Sequence, residues 1–153
     1  MPFDPTNIYL PFWYGNASVL KPTLFAAIRD RIHQNVSGLS NVYMETTQAK
    51  PTLPVVIMNQ ITSPTEVNNS PDYWSWITIQ FTVLSNDDVQ AVRLAHATRK
   101  RIGGYKFLFE DGYFMAGWPA SDVTSGSQDG IMAGGVKTFM ARFDYTFMVG
   151  REG

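Results

Sequence analysis

The sequence predicts an α+β domain of two layers, a mostly antiparallel sheet with two helices packed on one of its faces. Two stretches repeat apolar residues at helical spacing, and two others alternate apolar and polar residues almost without a break. Turn signals separate the stretches, so the segments are joined by short connections within one unit. A length of 153 residues is one domain's worth, enough to bury a core without disulfides. With 44% apolar and 14% aromatic residues the composition is globular, and with no cysteine it excludes a disulfide scaffold, a thiolate metal site and a cysteine nucleophile.

Residues 1–21 form an aromatic-rich N-terminal arm, and residues 22–153 the single domain. The arm places Phe12, Trp13 and Tyr14 between prolines that block a regular helix, so it packs over its own domain or docks on a neighbour. Three early prolines and no basic start argue against a signal peptide, and no apolar run approaches a membrane span, so a soluble protein is expected.

The first helix runs from Pro22 to Val36, with Leu24, Phe25, Ile28, Ile32 and Val36 on its inner stripe and Gly38 as a left-handed stop. Asn41–Glu45 and Val55–Gln60 are short strands, the second apolar enough to be covered on both faces. Residues 62–72 read as a polar hairpin loop. Tyr73–Leu84 is the strongest strand, followed by a capping box from Ser85 to Asp88 and a second helix to about Ile102. Two strands, Tyr105–Glu110 and Tyr113–Ala116, flank an Asp111-Gly112 hairpin signal. Residues 118–136 read as a long Gly- and Ser-rich loop, and Val136–Val149 is the last alternating strand.

Chemistry is sparse in this sequence. The two histidines, His33 and His96, fall on outward helix faces without metal-ligand spacing, as solvated side chains do. Asp87 and Asp88 suit the start of a helix and Glu110-Asp111 a turn, so neither pair marks general acid–base work. Gly130–Gly135 precedes a strand and lacks the spacing of a phosphate loop. Arg99-Lys100-Arg101 lies where a helix dipole favours cations, with contact to a nucleic acid or acidic partner as the competing reading. No catalytic set and no cofactor are implied, and a net charge of −1 excludes a strongly basic nucleic-acid or membrane-surface protein.

The informative feature is the second face of the sheet. Opposite the helix-covered positions stand Trp74, Trp76, Thr78, Gln80, Thr82, Met140, Arg142, Asp144, Thr146 and Met148. Aromatics, Met and Arg are enriched at protein interfaces, and Lys and Glu are depleted there. Trp74, Trp76, Met140, Arg142 and Met148 are therefore the candidate subunit-interface residues; coverage by the arm or a loop of the same chain is the competing account.

The element order and pattern resemble a known family. LFAAIRDRI, the Pro-flanked PTLPVVIMNQ, the strand running into a helix in WITIQFTVLSNDDVQAVRLAHATRKRI, and the closing KTFMARFDYTFMVG are similar to tail-terminator, or tail-completion, proteins of long-tailed bacteriophages. The similarity spans roughly residues 22–149, and the arm has no counterpart in the family pattern. The resemblance implies a non-enzymatic virion protein, assembled in the host cytoplasm. It forms a homo-oligomeric ring, a hexamer in the family, that ends tail-tube polymerisation and joins the tail to the head connector or head-closure protein. DNA passes through its lumen without specific binding. On that reading Thr65, Asn68 and Asn69 of the first loop and Ser125, Gln128 and Asp129 of the second are candidates for contacts with axial neighbours. A head-closure or tail-tube subunit, or a small-molecule-binding β-sheet module, are the alternatives.

Overall fold

A computed structural model describes residues 24–44, 52–61, 65–66, 72–103, 108–109, 112–128 and 138–152. The arm candidates Phe12, Trp13 and Tyr14, and the loop candidates Asn68, Asn69 and Asp129, lie outside the described residues.

Two helices, α1 (Leu24–Asn35) and α2 (Asp88–Ile102), lie on one face of an eight-stranded sheet. The strands are β1 (Asn41–Met44), β2 (Val55–Gln60), β3 (Thr65–Glu66), β4 (Asp72–Ser85), β5 (Leu108–Phe109), β6 (Gly112–Pro119), β7 (Thr124–Gln128) and β8 (Thr138–Glu152). Their order is β1-β2-β4-β8-β6-β5, with β3 added to β4 and β7 to β8. All pairs are antiparallel except β1 with β2. The α+β architecture expected from the sequence is the one observed.

Alternation decides which residues meet the helices. Ile77, Ile79, Phe81 and Val83 of β4 share their face with Ala141, Phe143, Tyr145, Phe147 and Val149 of β8. All nine are buried, and they join Val42, Val56 and Met58 beneath Ile28, Ile32, Ala91, Leu94, Ala95 and Ile102 of the helices. Phe81 and Phe143, directly paired across the strands, stack with ring centroids 5.0 Å apart and planes 11° from parallel. The small side chains of Ala91 and Ala95, both fully buried, let α2 lie close to this aromatic layer. Arg31 of α1 donates from Nε to the Arg101 carbonyl at 3.1 Å and so ties the first helix to the end of the second.

The layers differ in length. At 15 residues each, β8 extends about 50 Å and α2 about 22 Å. The helix spans less than half of the strand it packs on.

Four sequence expectations are corrected. The polar stretch 62–72 is not all loop, because Thr65 and Glu66 pair with Trp76 and Ser75. Nor is 118–136: β6 runs to Pro119, and β7 pairs with β8 from Thr124↔Arg142 to Gln128↔Thr138. Both strands lie on the same edge of β8 in the same direction. Ala120 and Ser121 bridge the interruption, donating their amides to the Asp144 carbonyl at 2.9 and 3.3 Å. From Trp118 to Gln128 this stretch is edge strand with a break, since Gly and Ser are tolerated where only one side of a strand is paired.

The helix cap is Asp87 and not Ser85, its side chain accepting from the Val89 amide at 3.1 Å. The Ser85 hydroxyl instead accepts from the Asp87 amide and donates to Gln90 Oε1. In the β5–β6 pair Gly112 is a strand residue opposite Phe109, and not the second turn residue that the Asp-Gly signal suggests.

Candidate functional site

The second sheet face is built by the same alternation that fills the core. Its rows run across the strands: Val55, Leu84, Met140 and Gly126; then Ile57, Thr82, Arg142 and Thr124; then Asn59, Gln80 and Asp144; then Thr78, Thr146 and Trp118; then Trp76, Met148 and Ala116. Trp74 occupies the next position of the same face, in register with Gly150. Of the candidate interface residues, the strand register puts Trp76, Met140, Arg142 and Met148 on one face, with position 74 next along it.

The face is graded from one end to the other. Val55 and Leu84 are buried and Thr82 and Thr146 nearly so, whereas Trp76 is 40% exposed and Trp118 41%. Met140, Arg142 and Met148 are half-buried. Part of the face is thus buried within the chain. The open part is centred on Trp76 and Trp118, whose rings meet edge to face at 6.2 Å with planes 83° apart. Such a pair contributes about 0.5–1.5 kcal/mol beyond its buried area.

Trp118 is the member that sequence reasoning missed. Between Phe114 and Ala116 the β6–β8 register shifts by one residue, with Phe114 opposite Val149 and Ala116 opposite Met148. Met115 is the additional residue of this β-bulge, which exchanges the two faces of β6 along the strand. Were Met115 paired with Met148 and the register unbroken, Trp118 would pair with Tyr145 on the helix side. No turn residue announces the bulge; the available signal is that Trp118 and Trp76 are both too large to leave unpaired on a small sheet.

Polar groups on this face are sparingly satisfied. Thr78 and Thr146 share a hydrogen bond of 2.8 Å across the strands. Arg142 donates to Thr82 Oγ1 and lies against Met140 Sδ, both at 3.4 Å. Asp144 Oδ1 is inaccessible and has no hydrogen-bond partner. Arg142 and Asp144 stand two residues apart on one face with no ion pair between them.

The loop candidates fall in different places. Thr65 and Gln128 are strand residues of β3 and β7, and Ser125 lies on the helix side of β7, beside α2. There Ser125 lines an open groove with Asp88, Val89, Val92 and Arg93. His33 and His96 are exposed on their helices, and no cluster of three metal-ligating side chains occurs among the described residues. Arg99, Lys100 and Arg101 occupy the last turn of α2, where Arg99 meets the almost fully exposed Asp122 at 3.7 Å. An exposed pair of that length adds little stability. No helix among the described residues is long and apolar enough to cross a membrane.

With this geometry in hand, comparison with known proteins separates fold from family. No protein-family model matches the chain, and no curated protein matches its sequence. A chain of the virion of a native gene transfer agent particle shares its fold. The two agree with a TM-score of 0.56 over 85% of this chain and 95% of that one, at 14% sequence identity. Identity that low makes the likeness one of architecture, and it extends over nearly the whole of the virion chain.

Proposed function

We propose that the protein is a non-enzymatic structural component of a phage or phage-like virion, acting as a homo-oligomeric ring at the head–tail joint. In this role it ends tail-tube polymerisation and joins the tail to the head connector. The observation that carries the reading is the exposed Trp76–Trp118 end of the second sheet face, an aromatic surface that a lone subunit leaves in water. The shared fold with a virion chain supports the same class.

Lateral packing falls to Trp74, Trp76, Met140, Arg142 and Met148, now joined by Trp118. Axial contacts with the tube protein and the connector fall to the strand and loop ends around Thr65, Asn68, Asn69, Gln128 and Asp129, whereas Ser125 belongs to the groove beside α2. A near-neutral chain suits a six-fold channel that lets DNA pass without gripping it.

Changing Trp74→Ala together with Trp76→Ala should reduce the particle mass in light scattering to that of a subunit while the far-ultraviolet circular dichroism is kept. An unchanged mass would remove the face from the contact. Negative-stain images of the unaltered protein should show closed six-fold rings with a central hole. Open-ended tubes would instead assign it to the tail tube.

A further inference from the structure

A closed ring is made of heterologous contacts, in which one patch of a subunit meets a different patch of the next. The second sheet face supplies one patch. The other must lie elsewhere on the same chain and complement it.

The groove between α2 and β7 has the required features. Its apolar floor is Val89 and Val92, and Val89, at 58%, is the most exposed large apolar side chain among the described residues. Asp88 and Arg93 flank that floor with opposite charges. Arg93 is exposed and makes no hydrogen bond or ion pair among the described residues, and no carboxylate stands three or four positions from it on α2.

The spacing of charges matches that of the sheet face with the signs reversed. Asp88 and Arg93 are separated by about 7.5 Å along the helix axis. Arg142 and Asp144 are separated by about 7 Å along β8. A helix laid along β8 in the direction that sets Arg93 against Asp144 also brings Asp88 to Arg142. The later turns of α2, with His96 and Lys100 exposed, then run toward Trp118 and Trp76, whose rings attract cations. Asp144, a half-buried carboxylate with no counter-ion among the described residues, gains one.

We infer that the α2–β7 groove of one subunit receives the second sheet face of the next copy of this chain, with Arg93 opposite Asp144 and Asp88 opposite Arg142. This rests on the ring reading above and names the two surfaces that meet.

A double-mutant cycle on the full chain tests the pairing, with the concentration for half-assembly read by analytical ultracentrifugation. Arg93→Glu should raise that concentration about tenfold or more, and Asp144→Asn, which keeps the shape of the side chain, should also raise it. In the Asp144→Asn background the Arg93→Glu change should have a clearly smaller effect, and Arg93→Glu with Asp144→Lys should assemble better than Arg93→Glu alone. Independent effects of Arg93→Glu and Asp144→Asn, or unchanged assembly on Arg93→Glu, overturn the pairing. If Trp76→Ala with Trp118→Ala breaks the ring while Arg93→Glu does not, the pairing fails and the ring stands. A wild-type protein that is monomeric at every concentration overturns both.

Discussion

The two faces of the central sheet use the same strands and obey opposite rules. Odd positions of β4 and β8 are closed off by the helices, and residues 77, 79, 81 and 83 are no more than 2% exposed. Even positions pass from 2% exposed at Leu84 to 40% at Trp76. The first face is finished by its own chain. The second is finished at one end only, and its open end carries the bulkier rings. A short helix layer over long strands explains why: about 22 Å of α2 closes one face over part of its length and leaves nothing to wrap around to the other.

The sharpest test of this contrast is to damage each face and compare the results. Phe81→Ala removes a ring stacked on Phe143 in the closed layer and should lower the unfolding free energy by about 3–5 kcal/mol, seen as a lower urea midpoint. Trp76→Ala with Trp118→Ala should cost the isolated subunit markedly less, on the order of 1–2 kcal/mol, yet lower the assembled mass. Equal destabilisation by both changes would mean that the second face is core as well.

Smaller effects refine the picture. Thr146→Val removes the 2.8 Å hydroxyl hydrogen bond to Thr78 and should cost about 1 kcal/mol, measured by the same denaturation. Alkaline pH should act on the covered face through Tyr145. Burial raises the Tyr145 phenol above its ordinary 10.0, partly offset by the nearby Arg99. As pH rises past 10.0 the unfolded chain releases this proton first, so stability that is intact below that value is lost as pH climbs through the folded pKa. Tyr145→Phe should flatten that alkaline decline in a series of urea midpoints. An unchanged slope would show that Tyr145 is not the titrating group.

Much of the fold was legible because period speaks plainly in long elements. The 3.6-residue stripe of α1 and the alternation of β4 and β8 placed the core from Leu24 to Val149, and β2 was bounded at Val55 and Gln60 as observed. The short edge strand β1 was legible at Asn41, but β3 and β7 were not. Two residues of β3 carry no period, and the Thr-Ser-Gly-Ser-Gln of β7 has a loop's composition, since an edge strand with one paired side makes few demands on its residues. The cap moved from Ser85 to Asp87 because Ser85 is fully buried and bonded to Gln90, five positions on and outside the three-residue spacing of a capping box.

The candidate face was half legible for the same reason. Trp76, Met140, Arg142 and Met148 follow from alternation, whereas Trp118 depends on a register shift and the α2–β7 groove on two segments more than thirty residues apart in sequence. Asp88 was read as a helix-start residue, which it is, and its second position on the rim of a groove appears only once β7 is seen to run alongside.

The supernumerary Met115 acts as a parity switch. Excising that single amino acid would join Phe114 directly to Ala116 and leave Trp118 opposite Thr146, whereas pairing Met115 itself with Met148 would turn Trp118 inward toward Tyr145 and strip the outer aromatic couple of one member. Stickiness on this flank is therefore written in the count of residues as much as in their kind. Inserting or deleting one position between Ala116 and Trp118 should alter self-association more abruptly than most point substitutions do.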